Sequence, residues 1–263
     1  MCSSDLPAGA KALGVPLRWS ETENIKWKTE IPLLGLSSPV VMEGKVWITT
    51  ATEDGRDCFV LSVDAATGKV LANEKVFHRD EPEPLGNGSR DNSYATPSAV
   101  VEPGRVYVHY GSPGTACLDA ATHKVIWKRD DLKCRHYRGA SSSPVIFGDL
   151  LILTFDGADL QYHVALDEST GKTVWLTKRS VAWNDENTNN KMAKDGDWRK
   201  AHSTPLIVDW QGQPLMFSAG AKAAYGYDPR TGAELWRVEH AAYSTAPRPV
   251  FRDGHFVFVT GFS

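Results

Sequence analysis

No basic tract, no long apolar run and no adjacent cysteine pair occurs in these 263 residues. Lysine and arginine number 29 against 32 aspartates and glutamates, a formal net charge of −3. The electrostatic footprint of a nucleic-acid binder is therefore missing. Nothing approaches the roughly 20 consecutive apolar residues that a membrane-spanning helix needs. The stretch MCSSDLPAGAKALGVPL lacks the apolar centre of a signal peptide. The four cysteines, Cys2, Cys58, Cys117 and Cys134, show no metal-ligand spacing. Cys58 and Cys117 read as small buried hydrophobes rather than a disulfide. No serine–histidine–acid spacing and no phosphate-binding loop is visible. Cys2 fits either an acylated lipoprotein start or a translated sequencing-adapter stretch. The second is expected, with residues 1–18 outside the native fold.

What is present is a repeat. ALDESTGKTVW, from Ala165 to Trp175, returns as SVDAATGKVLA from Ser62, CLDAATHKVIW from Cys117 and GYDPRTGAELW from Gly226. Its anchors are the aspartates Asp64, Asp119, Asp167 and Asp228, each followed by a Thr three residues on. Asp can accept backbone hydrogen bonds across a bend, and the turn glycines Gly68, Gly171 and Gly232 supply positive φ. The second copy has His123 at the glycine position. Trp127, Trp175 and Trp236 fill the last position, where the first copy has Ala72. The residue two before each Asp is small: Ser62, Cys117, Ala165 and Gly226.

Short alternating runs separated by Gly, Asp and Glu turns surround each copy, as in an antiparallel meander. Pro39, Pro97, Pro144, Pro205 and Pro247 open successive units. Trp27 fits the tryptophan position of an earlier unit, so residues 19–31 read as its outer strand. Repeated four-stranded units with one aromatic between sheets predict an all-β fold, a β-propeller of four full blades with partial blades at both ends, over residues 19–263. The end at Ser263 falls in mid-blade, so a longer parent is expected.

The small–x–Asp–x–x–Thr–Gly–Lys–x–x–Trp string resembles the tryptophan-docking motif of quinoprotein-like propellers. NSYATPS from Asn92, HYRGASSSP from His136 and FDGADLQYHVALDESTGKTVW from Phe155 are likewise similar to repeat proteins of that family. The family includes pyrroloquinoline quinone dehydrogenases and the non-enzymatic assembly lipoprotein BamB. The resemblance implies seven or eight blades in the whole protein and a periplasmic or otherwise extracytoplasmic setting. A lipid anchor in the parent is also compatible with it. The motif itself is structural and touches no substrate.

Alternating strand direction places the loops at 77–93, 129–140 and 178–201 on one face, with the turns at 54–55, 111–114, 156–159 and 220–221. Binding residues belong on such loops. The candidates are Arg90, Asn92, Tyr94, His136, Arg138, Asp156, Asp159, His202, Lys222 and Arg248, forming a polar pocket for an anion, a sugar or a polypeptide. The competing reading is that they satisfy loop backbone and pair with one another. Asp185, Glu186, Asp195 and Asp197 lack calcium-loop spacing and are expected to be solvated loop charge. A helical turn within 184–200 is also expected.

A quinone dehydrogenase would need a Trp platform, a calcium held by carboxylate and Asn, and an Asp base. The repeat tryptophans sit away from the axis; Trp183, Trp198 and Trp210 remain, on loops or a turn. The expected function is a non-catalytic, cofactor-free platform for a protein or a small polar ligand. The alternative is a fragment of a dehydrogenase using pyrroloquinoline quinone and calcium.

Overall fold

A computed structural model describes residues 16–86, 92–185, 189–191 and 195–262. Four sheets each contain four strands hydrogen-bonded in sequence order, and a fifth contains two. The first is β1 (Val40–Met42), β2 (Lys45–Ala51), β3 (Asp57–Asp64) and β4 (Val70–His78). The second is β5 (Val100–Glu102), β6 (Arg105–His109), β7 (Thr115–Asp119) and β8 (Val125–Arg129). The third is β9 (Val145–Phe147), β10 (Leu150–Asp156), β11 (Gln161–Asp167) and β12 (Thr173–Lys178). The fourth is β13 (Leu206–Trp210), β14 (Gln213–Ala219), β15 (Ala223–Tyr227) and β16 (Glu234–Glu239); β17 (Val250–Arg252) and β18 (His255–Val257) form the fifth. All pairings are antiparallel.

The middle strands are buried on both faces where a sheet lies between two others, while the outer strands β4, β8, β12 and β16 are largely exposed. In β10, Leu151, Leu153 and Phe155 pack with Tyr107 and Cys117 of the second sheet. The alternate residue Ile152 packs with Met216, Tyr225 and Tyr227 of the fourth. Period-two alternation thus serves two cores. Among the described residues four such clusters join successive sheets, and a fifth packs the first sheet against Trp27 and Ile31, which is the layering of a β-propeller.

The recurring string is a clasp between neighbouring sheets. The Asp167 carboxylate accepts from Thr170 N at 2.8 Å and Thr170 Oγ1 at 2.7 Å, and Gly171 N donates to Asp167 O. Trp127 of the preceding sheet lies on this turn, its Nε1 donating to Glu168 O at 2.8 Å. A Cβ on Gly171, where φ is +70°, would fall 2.7 Å from the indole. Trp175 repeats the contact one sheet later, on Gly232 and Pro229 O. Within its own sheet each Trp pairs with the small residue: Cys117 with Trp127, Ala165 with Trp175, Gly226 with Trp236. At Gly226 even a Cβ would fall 2.3 Å from the Trp236 indole.

Two expectations are corrected. Residues 19–31 form no strand, only a bridge between Ser20 and Glu23, although Trp27 does dock on Gly68 with Nε1 donating to Ala65 O at 3.1 Å. Trp210 is not on a turn; it ends β13, packed against Gly254 and edge-on to Phe251. Among the described residues the expected helical turn is present as a 3-10 turn, Asp197–Arg199, and Asp195 N donates to Lys191 O at 2.9 Å just before it. Cys58, Cys117 and Cys134 are buried free thiols.

Candidate functional site

The loops between sheets and the turns after each second strand meet on one face. Tyr94 covers Gly55, His136 lies against Gly111, Asp159 accepts from Arg135 N, and Lys222 N donates to Ala242 O. Strand direction alone brings these segments together. The other ends of the sheets carry the Thr-Gly turns.

The side chains on the loop face are largely engaged with one another. Asn92 Nδ2 donates to Arg138 O and to Ser141 Oγ, while its Oδ1 accepts from Ser93 N. Tyr94 Oη donates to Glu83 O at 3.0 Å. Arg138 grips Asp197 through two nitrogens, at 2.8 and 3.1 Å. Asp156 and Arg179 form a buried two-toothed pair at 2.6 and 2.7 Å. Asp159 caps its turn by accepting from Arg135 N and Leu160 N. Lys222 Nζ lies 5.2 Å over the Trp198 ring. Arg248 is half-buried in the loop before β17. Arg90 lies outside the described residues, as does Glu186.

Of the two candidate histidines His136 is buried and His202 half-buried. His136 Nε2 accepts from Ser112 N at 3.0 Å, which leaves the ring proton on Nδ1. Burial, with Lys200 nearby, drives its pKa well below the ordinary histidine value. His202 bonds Ser141 Oγ at 3.1 Å, and burial lowers its pKa to about 3. Both rings are neutral near pH 7. Asp185 and Asp197, expected in solvent, are instead buried and matched by Arg199 and Arg138.

Two features were missed from sequence. Hydroxyls link successive units near the axis: Ser98 Oγ accepts from Ser38 N, Ser143 Oγ from Ser98 N, and Thr204 Oγ1 from Ser143 N. Their signal is the Ser/Thr flanking each unit-opening proline. The second is a groove of about 530 Å³ lined by Leu160, Tyr162, Leu176, Lys178, Trp183 and Arg199, among others. It draws on four separate segments, around 131–133, 159–162, 176–183 and Arg199, which no local pattern joins. The cavity beside His136, Tyr94 and Tyr137 measures only about 30 Å³, room for little more than a water.

Residues 57–198 match the family described as outer membrane protein assembly factor BamB, more than half of the chain. The chain belongs to the BamB family. In structure it is similar to BamB from Moraxella catarrhalis, with TM-score 0.60 and 17% identity, over 86% of this chain and 59% of that one. It is also similar to quinohemoprotein alcohol dehydrogenase from Comamonas testosteroni, with TM-score 0.55 and 16% identity, over 85% of this chain and 39% of that one. Identities this low show a shared fold alone. This BamB-family chain spans less than two thirds of the first relative and about two fifths of the second. Comparison with curated proteins by sequence gives no match.

Among the described residues of this BamB-family chain, the side chains that could serve a quinone with calcium are already engaged. The docking indoles Trp27, Trp127 and Trp175 are already covered by turn residues. The Asp156 carboxylate is taken by Arg179, and the Asn92 amide by its own loops. Among the described residues no three His, Cys, Asp or Glu side chains are grouped to hold a metal ion.

Proposed function

We propose that this BamB-family propeller is a non-catalytic binding or assembly platform that uses no cofactor. The observation that carries the reading is the loop face, where the polar side chains lock loops to one another. Such a face is preorganised for a partner, and preorganisation lowers the ordering cost of association. His136 is neutral but sealed, which does not suit a general base that must meet substrate. The matched family is described as an outer membrane protein assembly factor, which supports a polypeptide partner and an extracytoplasmic setting. A small polar ligand is the narrower variant of the same reading.

Photo-crosslinkers at Glu81 on the loop face and at Thr122 on the Thr-Gly-turn face test it in the full-length parent. Adducts with protein from Glu81 and not from Thr122 are expected; the reverse pattern would count against this face. The rival dehydrogenase reading rests on a shared fold. Adding pyrroloquinoline quinone and calcium to the parent, with alcohols or sugars and a redox dye, is expected to give no turnover. Clear dye reduction would end the platform reading.

A further inference from the structure

Between the third and fourth sheets, four polar atoms are buried without a well-formed hydrogen bond among the described residues: His163 Nε2, Arg179 Nη1, Tyr225 Oη and Tyr227 Oη, with the backbone of Leu153 beside His163 and that of Val181 beside Tyr225. They belong to one cluster. The Arg179 guanidinium carbon lies 4.9 Å over the Tyr225 ring, Tyr225 and Tyr227 stack at 5.6 Å, and His163 meets Tyr227 edge-on at 5.1 Å. The His163, Tyr225 and Tyr227 residues and the Arg179 side chain are all 0% exposed. In the second sheet His109 stands in a matching cross-strand pair with Thr115. Phe155 lies edge-on to its ring at 5.2 Å, and among the described residues no unmatched phenol or guanidinium accompanies its orphan Nε2, so the polar concentration is particular to the next seam.

A buried donor or acceptor left unmatched is costly, and native interiors leave very few of them. We infer that this seam is an internal water-binding site, its water bonded to Arg179 Nη1 and the two phenols. The chemistry selects the occupant. The charge of Arg179 is already matched by Asp156 through Nε and Nη2, so an anion would add an uncompensated buried charge. An apolar occupant would satisfy none of the four atoms. Water accepts from Nη1, which can only donate, and exchanges either role with the phenols. His163 Nε2 can also take either role, set by the direction of the bond between its Nδ1 and Thr154 Oγ1, 3.0 Å apart. The inference is independent of the platform reading.

A high-resolution crystal structure of the chain, with and without a bromide soak, tests it. Ordered water within hydrogen-bond distance of Arg179 Nη1 and at least one phenol oxygen is expected. An anomalous bromide peak in that position would overturn the assignment in favour of an anion site. A dry seam, with the four groups turned to bond protein atoms, would overturn it as well.

Discussion

His123 Nε2 lies 2.9 Å from Ser62 Oγ, across the seam between the first and second sheets. Ser62 is the cross-strand partner of Ala72, so the imidazole reaches the place where other seams hold an indole. The two departures from the repeat, Ala72 for Trp and His123 for Gly, therefore face each other. His123 keeps the backbone of the glycine it replaces, with φ at +63° and N donating to Asp119 O at 2.8 Å. A left-handed residue with a Cβ costs about 1–2 kcal/mol, which the filled seam offsets.

This arrangement predicts coupling. Ala72→Trp alone overpacks against the imidazole, at about 1–3 kcal/mol, and His123→Gly alone empties the seam. The double variant restores the clasp found at Trp127 and Gly171. Urea denaturation of all four forms is expected to show a favourable coupling of about 0.5–3 kcal/mol. Additive losses would mean that the two positions do not share a space.

Trp175 and Trp236 occupy the same repeat position but differ in cover, 9% against 37% exposed. Trp175→Ala is expected to cost about 3–5 kcal/mol, as for large-to-small core changes. Trp236→Ala, which empties a half-covered site, is expected to cost distinctly less. Equal midpoint shifts in denaturant would show that the clasp does not depend on the turn of the following sheet.

Much of the fold was legible because its signal is local. The turn from Asp167 to Gly171 and the Trp127 and Trp175 positions lie within single repeats, and strand alternation follows from period two. Partnerships between repeats were hidden. Nothing near Ala72 in the chain announces His123, and nothing near Ser98 announces Ser143. At the loop face, strand direction located the right segments, so Tyr94, His136 and Asp159 do lie together. That Asn92, Arg138 and Asp156 are taken up by other loop groups depends on loop closure, which spacing does not encode. For the same reason Asp185 and Asp197 read as solvated charge and proved to be buried ion pairs.

Acid stability follows from the buried imidazoles. Burial lowers the pKa of His109 to about 3 and drives those of His136 and His163 well below the ordinary value. Each group binds its proton more readily in the unfolded chain, near pH 6.5. Their neutral-form stability is complete above that pH and is lost as pH falls from about 6.5 toward the folded-state value. The loss is about 1.4 kcal/mol per pH unit per group. A thermal midpoint flat from pH 8 to 7 and falling steeply between 6 and 4 is expected. His109→Gln, which keeps a polar group beside Thr115 but cannot titrate, should flatten that fall. An unchanged slope would show that the loss arises elsewhere.

The Asp156–Arg179 pair gives the sharpest contrast between breaking and replacing a charge. Both side chains are almost wholly buried, and Arg179 Nη2 also donates to Ser218 Oγ at 3.0 Å. Asp156→Asn leaves the guanidinium unmatched in the core and is expected to cost about 3–5 kcal/mol. Asp156→Leu with Arg179→Met removes both charges for side chains of similar volume, and often such a swap is neutral or better. Here the phenols of Tyr225 and Tyr227 would lose the charge beside them, so the double variant is expected to fall between wild type and Asp156→Asn. Urea midpoints order the three proteins. A double variant less stable than Asp156→Asn would show that the pair holds the seam by hydrogen bonding to its neighbours rather than by cancelling charge.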